Sequence, residues 1–136
     1  MLTPVENRLS VVACSTCRFS ADQREDADGL RGGALLVAAL EAAKQADPRY
    51  AEVTIEQMPC IFSCTEHCSV HLRAPGKVGY LLGRFTPDTD AARAILDYAV
   101  HYAQSEHGRV PFKQWPQGIK GHFIARIPPE GFLVES

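Results

Sequence analysis

Five cysteines fall in two short windows of this 136-residue chain: Cys14 and Cys17 form one pair, and Cys60, Cys64 and Cys68 form a triplet. An odd number cannot close fully into disulfides within one chain. Spacings of two and three residues are those of ligand or redox sets rather than of a disulfide framework. A chain of this length buries an adequate core without staples, so the thiols are not needed merely to fold it. The N-terminus, Met-Leu-Thr-Pro-Val-Glu-Asn-Arg, lacks the basic start and apolar core of a secretion signal. The longest apolar block, residues 34–43, carries Glu41 and falls short of the ~20 residues that cross a bilayer. The expectation is a soluble cytoplasmic protein whose thiols stay reduced, so that clustered cysteines act as metal ligands or redox groups. A hydrophobic share of 46% excludes a disordered chain. A formal net charge of -2 argues against a nucleic-acid grip. Residues 1–136 are expected to form one domain.

The periodicity places these windows on a fold. Ser10–Cys14 is short, apolar and β-branched, and reads as a buried strand. Residues 18–33 are polar and acidic and read as a loop with solvated charges, Arg31 among them. Residues 30–45 carry a helical stripe through Leu36, Val37, Leu40 and Ala43, and Asp47-Pro48 ends it. Residues 52–58 alternate and read as a second strand. Residues 70–72 and 78–82 flank Ala74-Pro75-Gly76-Lys77 and read as a β-hairpin. Thr86-Pro87 offers an N-cap and first turn for a last helix striped by Ala92, Ile95, Leu96, Ala99 and Ala103, with Gly108 closing it. The order is β-α-β-β-β-α: an α/β, thioredoxin-like arrangement with a mixed four-stranded sheet and two main helices. Strands joined by a helix run parallel with a right-handed crossover. Residues 109–136, with Trp115 and the short run 123–127, read as an extended C-terminal tail packed across the domain as a lid, or reaching to a partner.

Parallel neighbouring strands end on one edge, and ligands in open sheets sit at such carboxyl ends. Cys14/Cys17 and Cys60/Cys64 then face each other across two loops. Four soft thiolates suit tetrahedral zinc or an iron–sulfur cluster and select against magnesium or calcium.

The run Cys60-Ile-Phe-Ser-Cys64, followed by residues 69–72, Ala74-Pro75-Gly76-Lys77 and Tyr80-Leu81-Leu82-Gly83, resembles the second half of thioredoxin-like [2Fe-2S] ferredoxins. More narrowly, Val12-Ala13-Cys14-Ser15-Thr16-Cys17, the cysteine triplet, residues 74–77 and the ending Ala125-Arg126-Ile127-Pro128-Pro129 resemble the DUF1636 family of small, predicted metal-binding bacterial proteins. The ferredoxin resemblance implies a [2Fe-2S] cluster held by Cys14, Cys17, Cys60 and Cys64. It also implies an electron-transfer role rather than an enzymatic one, a redox protein partner, and a homodimer. The two-residue gap between the first cysteines departs from the ferredoxin pattern. So does the extra Cys68, which either replaces one ligand or marks a site for a single ion.

Two further readings stay open. One is a metal-handling protein with four cysteines, or three and a histidine such as His67, holding zinc, copper or cobalt for a metallochaperone partner. The other is a thiol oxidoreductase with Cys14 as nucleophile and Cys17 as resolving thiol. Against the latter, the loop 18–33 is expected to keep the following helix away from the thiols. Lys77, Arg73 and Arg18 read as surface charge, or as cations that stabilise a reduced cluster. His71, His101 and His107 read as structural. No catalytic set stands out.

Overall fold

The computed structural model describes residues 2–135. Its elements are β1 (Ser10–Cys14), α1 (Gly32–Ala46), β2 (Thr54–Met58), β3 (Val70–Arg73), β4 (Gly79–Leu82), α2 (Thr89–Gln104) and β5 (Phe123–Ile127), joined by short 3-10 turns. The sheet order is β2-β1-β3-β4-β5. β1 pairs in parallel with β2, as a helical crossover requires, and antiparallel with β3. All five residues of β1 are buried, which an interior strand with both edges paired needs.

The sheet has five strands rather than four. The fifth comes from the expected tail: Phe123–Ile127 pairs antiparallel with β4, with a register shift at Leu81/Leu82. Four of its five residues are exposed, so it lacks the apolar alternation that marks a strand buried on one face. Before it, Val110 and Ile119 are buried and Trp115 packs at 4.8 Å from the Phe123 ring. The extension therefore covers its own chain's core, as a lid does.

α1 and α2 pack against each other. Leu36, Leu40 and Ala43 of α1 meet Ala92, Ile95, Leu96 and Ala99 of α2 in one core cluster with Val11, Val70 and Leu72. The α2 N-cap is Asp88, not Thr86: its carboxylate accepts the Ala91 amide at 2.8 Å. The Asp88 side chain reaches the third helical amide and satisfies a donor that Thr86 is too far back to meet. Pro87 then lies outside the helix. The helix ends at Gln104 with Ser105 as cap, not at Gly108. Gly108 has a φ of +90° and lies under the Tyr102 ring and the Val78 backbone, where a side chain has no room. No helix among the described residues is long and apolar enough to cross a membrane.

Candidate metal centre

The parallel register sets Cys14 opposite Met58, so Cys60 begins two residues beyond Cys14's partner. Both loops leave the same edge of the sheet. They are stitched together by the two residues inside the first pair. The Ser15 amide donates to the Met58 carbonyl at 2.9 Å and its hydroxyl to the same atom at 3.1 Å. The Thr16 hydroxyl donates to the Pro59 carbonyl. Cysteine spacing does not point to Ser15 and Thr16, because their bonds reach main-chain carbonyls far along the sequence.

The first pair is buried: Cys14 and Cys17 are 4% and 5% exposed. Burial works to raise the Cys14 thiol, but Cys17, the Ile61 and Thr16 amides and the Thr16 hydroxyl together hold it below its ordinary value. Ile61 belongs to the second loop, so that loop helps lower the first loop's thiol. Burial and the neighbouring Cys14 push Cys17 up to about 12. The second pair is more open, with Cys60 half-buried and Cys64 exposed. Their sulfurs stand 4.0 Å apart. The Phe62 amide donates to Cys60 Sγ at 3.3 Å, in a turn where Phe62 takes a φ of +64° and is 95% exposed. The Cys60 side chain, hydrogen-bonded to Cys64, raises the Cys64 thiol.

Cys68 is different. It is fully buried, and its sulfur donates to the Arg18 carbonyl at 3.6 Å. Burial pushes it up to about 12. His67 is half-buried beside it. Among the described residues no three His, Cys, Asp or Glu side chains gather as ligands of one ion. Cys14 interacts with Cys17 and Cys60 with Cys64, and Cys68 is near enough to feel both Cys14 and Cys17.

The helix start departs from expectation. The loop 18–33 folds back and seats the first turn of α1 on the Cys14–Arg18 backbone. The Gly33 amide donates to the Cys17 carbonyl at 3.1 Å. A side chain on Gly33 would collide with the Cys14 carbonyl, and one on Gly32 with the Arg18 carbonyl and, at 2.8 Å, the Cys68 sulfur. Two glycines are what let the positive end of a helix come this close to the thiols.

The nearby cation also differs from those expected. Lys77 lies in the β3–β4 turn at the far end of the sheet, where its ammonium donates to the Tyr102, Ala103 and Ser105 carbonyls at 2.7–2.9 Å. Arg73 pairs in register with Ser10, four residues before Cys14, a separation of about 13 Å along a strand. Both stand apart from the cysteines because the hairpin follows the triplet in sequence yet runs away from it. Arg31 instead sends its guanidinium into the first cysteine turn, donating to the Thr16 carbonyl at 3.1 Å.

The C-terminal extension reaches the second loop as well. Arg84, at φ +64°, pairs with Glu66 at 2.6 Å and donates to the Gly121 carbonyl. His122 stacks on Phe85 at 4.3 Å and bonds the Gly83 carbonyl through Nδ1 at 2.8 Å.

Residues 11–129 match the family described as "Protein of unknown function (DUF1636)". No curated protein sequence matches the chain. Among solved structures, a thioredoxin-like [2Fe-2S] ferredoxin from Aquifex aeolicus is similar at a TM-score of 0.56 and 16% identity, covering 94% of this chain and 100% of its own. At that identity the likeness is one of fold.

Proposed function

The chain belongs to the DUF1636 family, and from the paired geometry of its thiols we propose that it is a [2Fe-2S] electron-transfer protein. Cys14 and Cys17 would hold one iron, and Cys60 and Cys64 the other. The observation that carries this is that Cys14 and Cys17 interact on one loop, and Cys60 and Cys64 on the other, where both loops leave one edge of the sheet. Two thiolates on one tetrahedral metal with bonds of ~2.3 Å stand about 3.8 Å apart, and Cys60 and Cys64 stand at 4.0 Å. A [2Fe-2S] cluster held by four cysteines takes two thiolates on each iron. The similar fold of a [2Fe-2S] ferredoxin agrees with the reading.

The chemistry the cluster supplies when bound is reversible uptake of one electron. The chain's own groups do the rest. The Phe62 amide at Cys60, the Ile61 and Thr16 amides at Cys14, the start of α1 and the Arg31 charge favour added negative charge. Burial of Cys14 and Cys17 keeps water from the inner pair, and the exposed Cys64 side offers a protein partner a route to the centre.

Anaerobic purification tests this. The expected result is a brown protein with two iron and two sulfide per chain. A colourless protein with one zinc per chain overturns it in favour of metal handling. Cys68→Ser should leave the visible spectrum intact, whereas cluster loss in that variant would show that the ligand set is wrong.

One observation favours a second reading, thiol–disulfide exchange. The start of α1 is beside Cys14 and Cys17, as a reactive thiolate requires. In it, the Cys14 thiolate attacks a partner disulfide and displaces one partner thiolate. Cys17 then attacks the mixed disulfide, releasing the reduced partner and leaving a Cys14–Cys17 disulfide. It predicts that Cys17→Ser traps the mixed disulfide in metal-free protein; no trapped species eliminates it.

A further inference from the structure

The extension also builds a concavity at the opposite edge of the sheet from the thiols. A cavity of about 420 Å³ lies between β4, β5 and α2, a size that holds a small organic molecule. Its walls are the rings of Tyr80, Tyr98, Trp115 and Phe123. Phe123 makes edge contacts with Tyr80 and Tyr98 at 5.3 Å and leans on Trp115 at 4.8 Å, so the rings brace one another.

Arg109 and Arg126 border the same cavity, and no carboxylate lines it. Among the described residues neither arginine takes part in an ion pair. Burial raises the Tyr80 hydroxyl, and both guanidiniums are near enough to work against that rise. Arg126 stands directly opposite Tyr80 in the β4–β5 register, so the two share a face of the sheet, and Arg109 lines the same cavity. Two like charges at one mouth repel, and a bound anion relieves that repulsion with charge-assisted hydrogen bonds. The Tyr102 hydroxyl donates to the Val78 carbonyl and that of Tyr50 to Asp97. Tyr80 and Tyr98 line the cavity, and each carries a hydroxyl able to donate.

We propose that this cavity binds an aromatic carboxylate, with its ring among the four aromatic side chains and its carboxylate between Arg109 and Arg126. The inference stands apart from the thiol centre and does not depend on what that centre holds.

Trp115 is the sole tryptophan and lines the cavity, and its indole N–H donates to the Val110 carbonyl at 2.9 Å. Its fluorescence and its indole N–H resonance both report on occupancy. Titration with benzoate should change both signals saturably. Benzamide, which lacks the charge, and acetate, which lacks the ring, should each bind at least about tenfold more weakly. Arg109→Gln and Arg126→Gln should each weaken benzoate by about tenfold. Both side chains are exposed, so thermal unfolding of the variants should match the parent. The proposal fails if benzoate gives no saturable change, if benzamide or acetate binds as well as benzoate, or if both variants bind benzoate as the parent does.

Discussion

Arg31 sits in a run of charges that sequence patterning assigns to solvent, yet the residue is half-buried and its guanidinium donates into the Cys14–Cys17 turn. Reduction adds negative charge to the proposed centre, so a fixed cation nearby stabilises the reduced form. A charge at roughly 8 Å in an effective dielectric of ~40 is worth about 1 kcal/mol, or about 40 mV for one electron. Arg31→Gln should therefore make the midpoint potential more negative by tens of millivolts, measurable by spectroelectrochemistry. Unchanged potential in the loaded variant would remove Arg31 from the centre's electrostatics. The cysteines themselves were legible because ligand spacing is local. Arg31, Ser15 and Thr16 were not, because each acts on a main-chain carbonyl whose position depends on the fold. Nor did the sequence separate Cys68 from its neighbours. Burial and the Arg18 carbonyl do that, and neither follows from a three-residue spacing.

At the level of elements, the start of α1 was legible as a helix but not as a contact. Alanine and leucine periodicity fixes where a helix forms; only the folded loop shows that Gly32 and Gly33 let it touch the cysteine turn. This gives a test by sign. By helix propensity alone Gly33→Ala should stabilise by about 0.8–1 kcal/mol. The collision with the Cys14 carbonyl predicts the reverse, a loss of about 1–3 kcal/mol from forced backbone shifts. Urea unfolding of the metal-free protein decides between them. β5 failed to register for a complementary reason: an edge strand laid over an existing sheet buries little of itself, so its residues carry no alternating pattern. The N-cap shift from Thr86 to Asp88 shows the same limit, since two adequate caps two residues apart differ only in what their side chains reach.

For the whole molecule, the β-α-β crossover, the hairpin and the second helix were all readable, because each rests on periodicity and on the handedness rule that joins them. The placement of the extension was not, since it depends on aromatic packing between residues as distant as Tyr80 and Phe123. The core that joins α1, α2 and the sheet is built mainly of aliphatic and aromatic side chains, with Cys14, Cys17 and Cys68 among them, and the two cysteine loops are tied by protein hydrogen bonds. Unlike small metal-dependent domains, this chain should keep its far-ultraviolet circular dichroism and a cooperative thermal transition after chelation. Unfolding on metal removal would show that the stitching is insufficient. The far end of the sheet has a consequence of a different kind. One ammonium, Lys77, answers the last carbonyls of α2, Tyr102 bonds Val78, and the Val78 amide bonds His107. Turn and helix end therefore cannot open separately. In native-state hydrogen exchange, the amides of β4 and of the last turns of α2 should share one opening free energy. Lys77→Met should lower protection in both together while leaving the amides of β2 as they were.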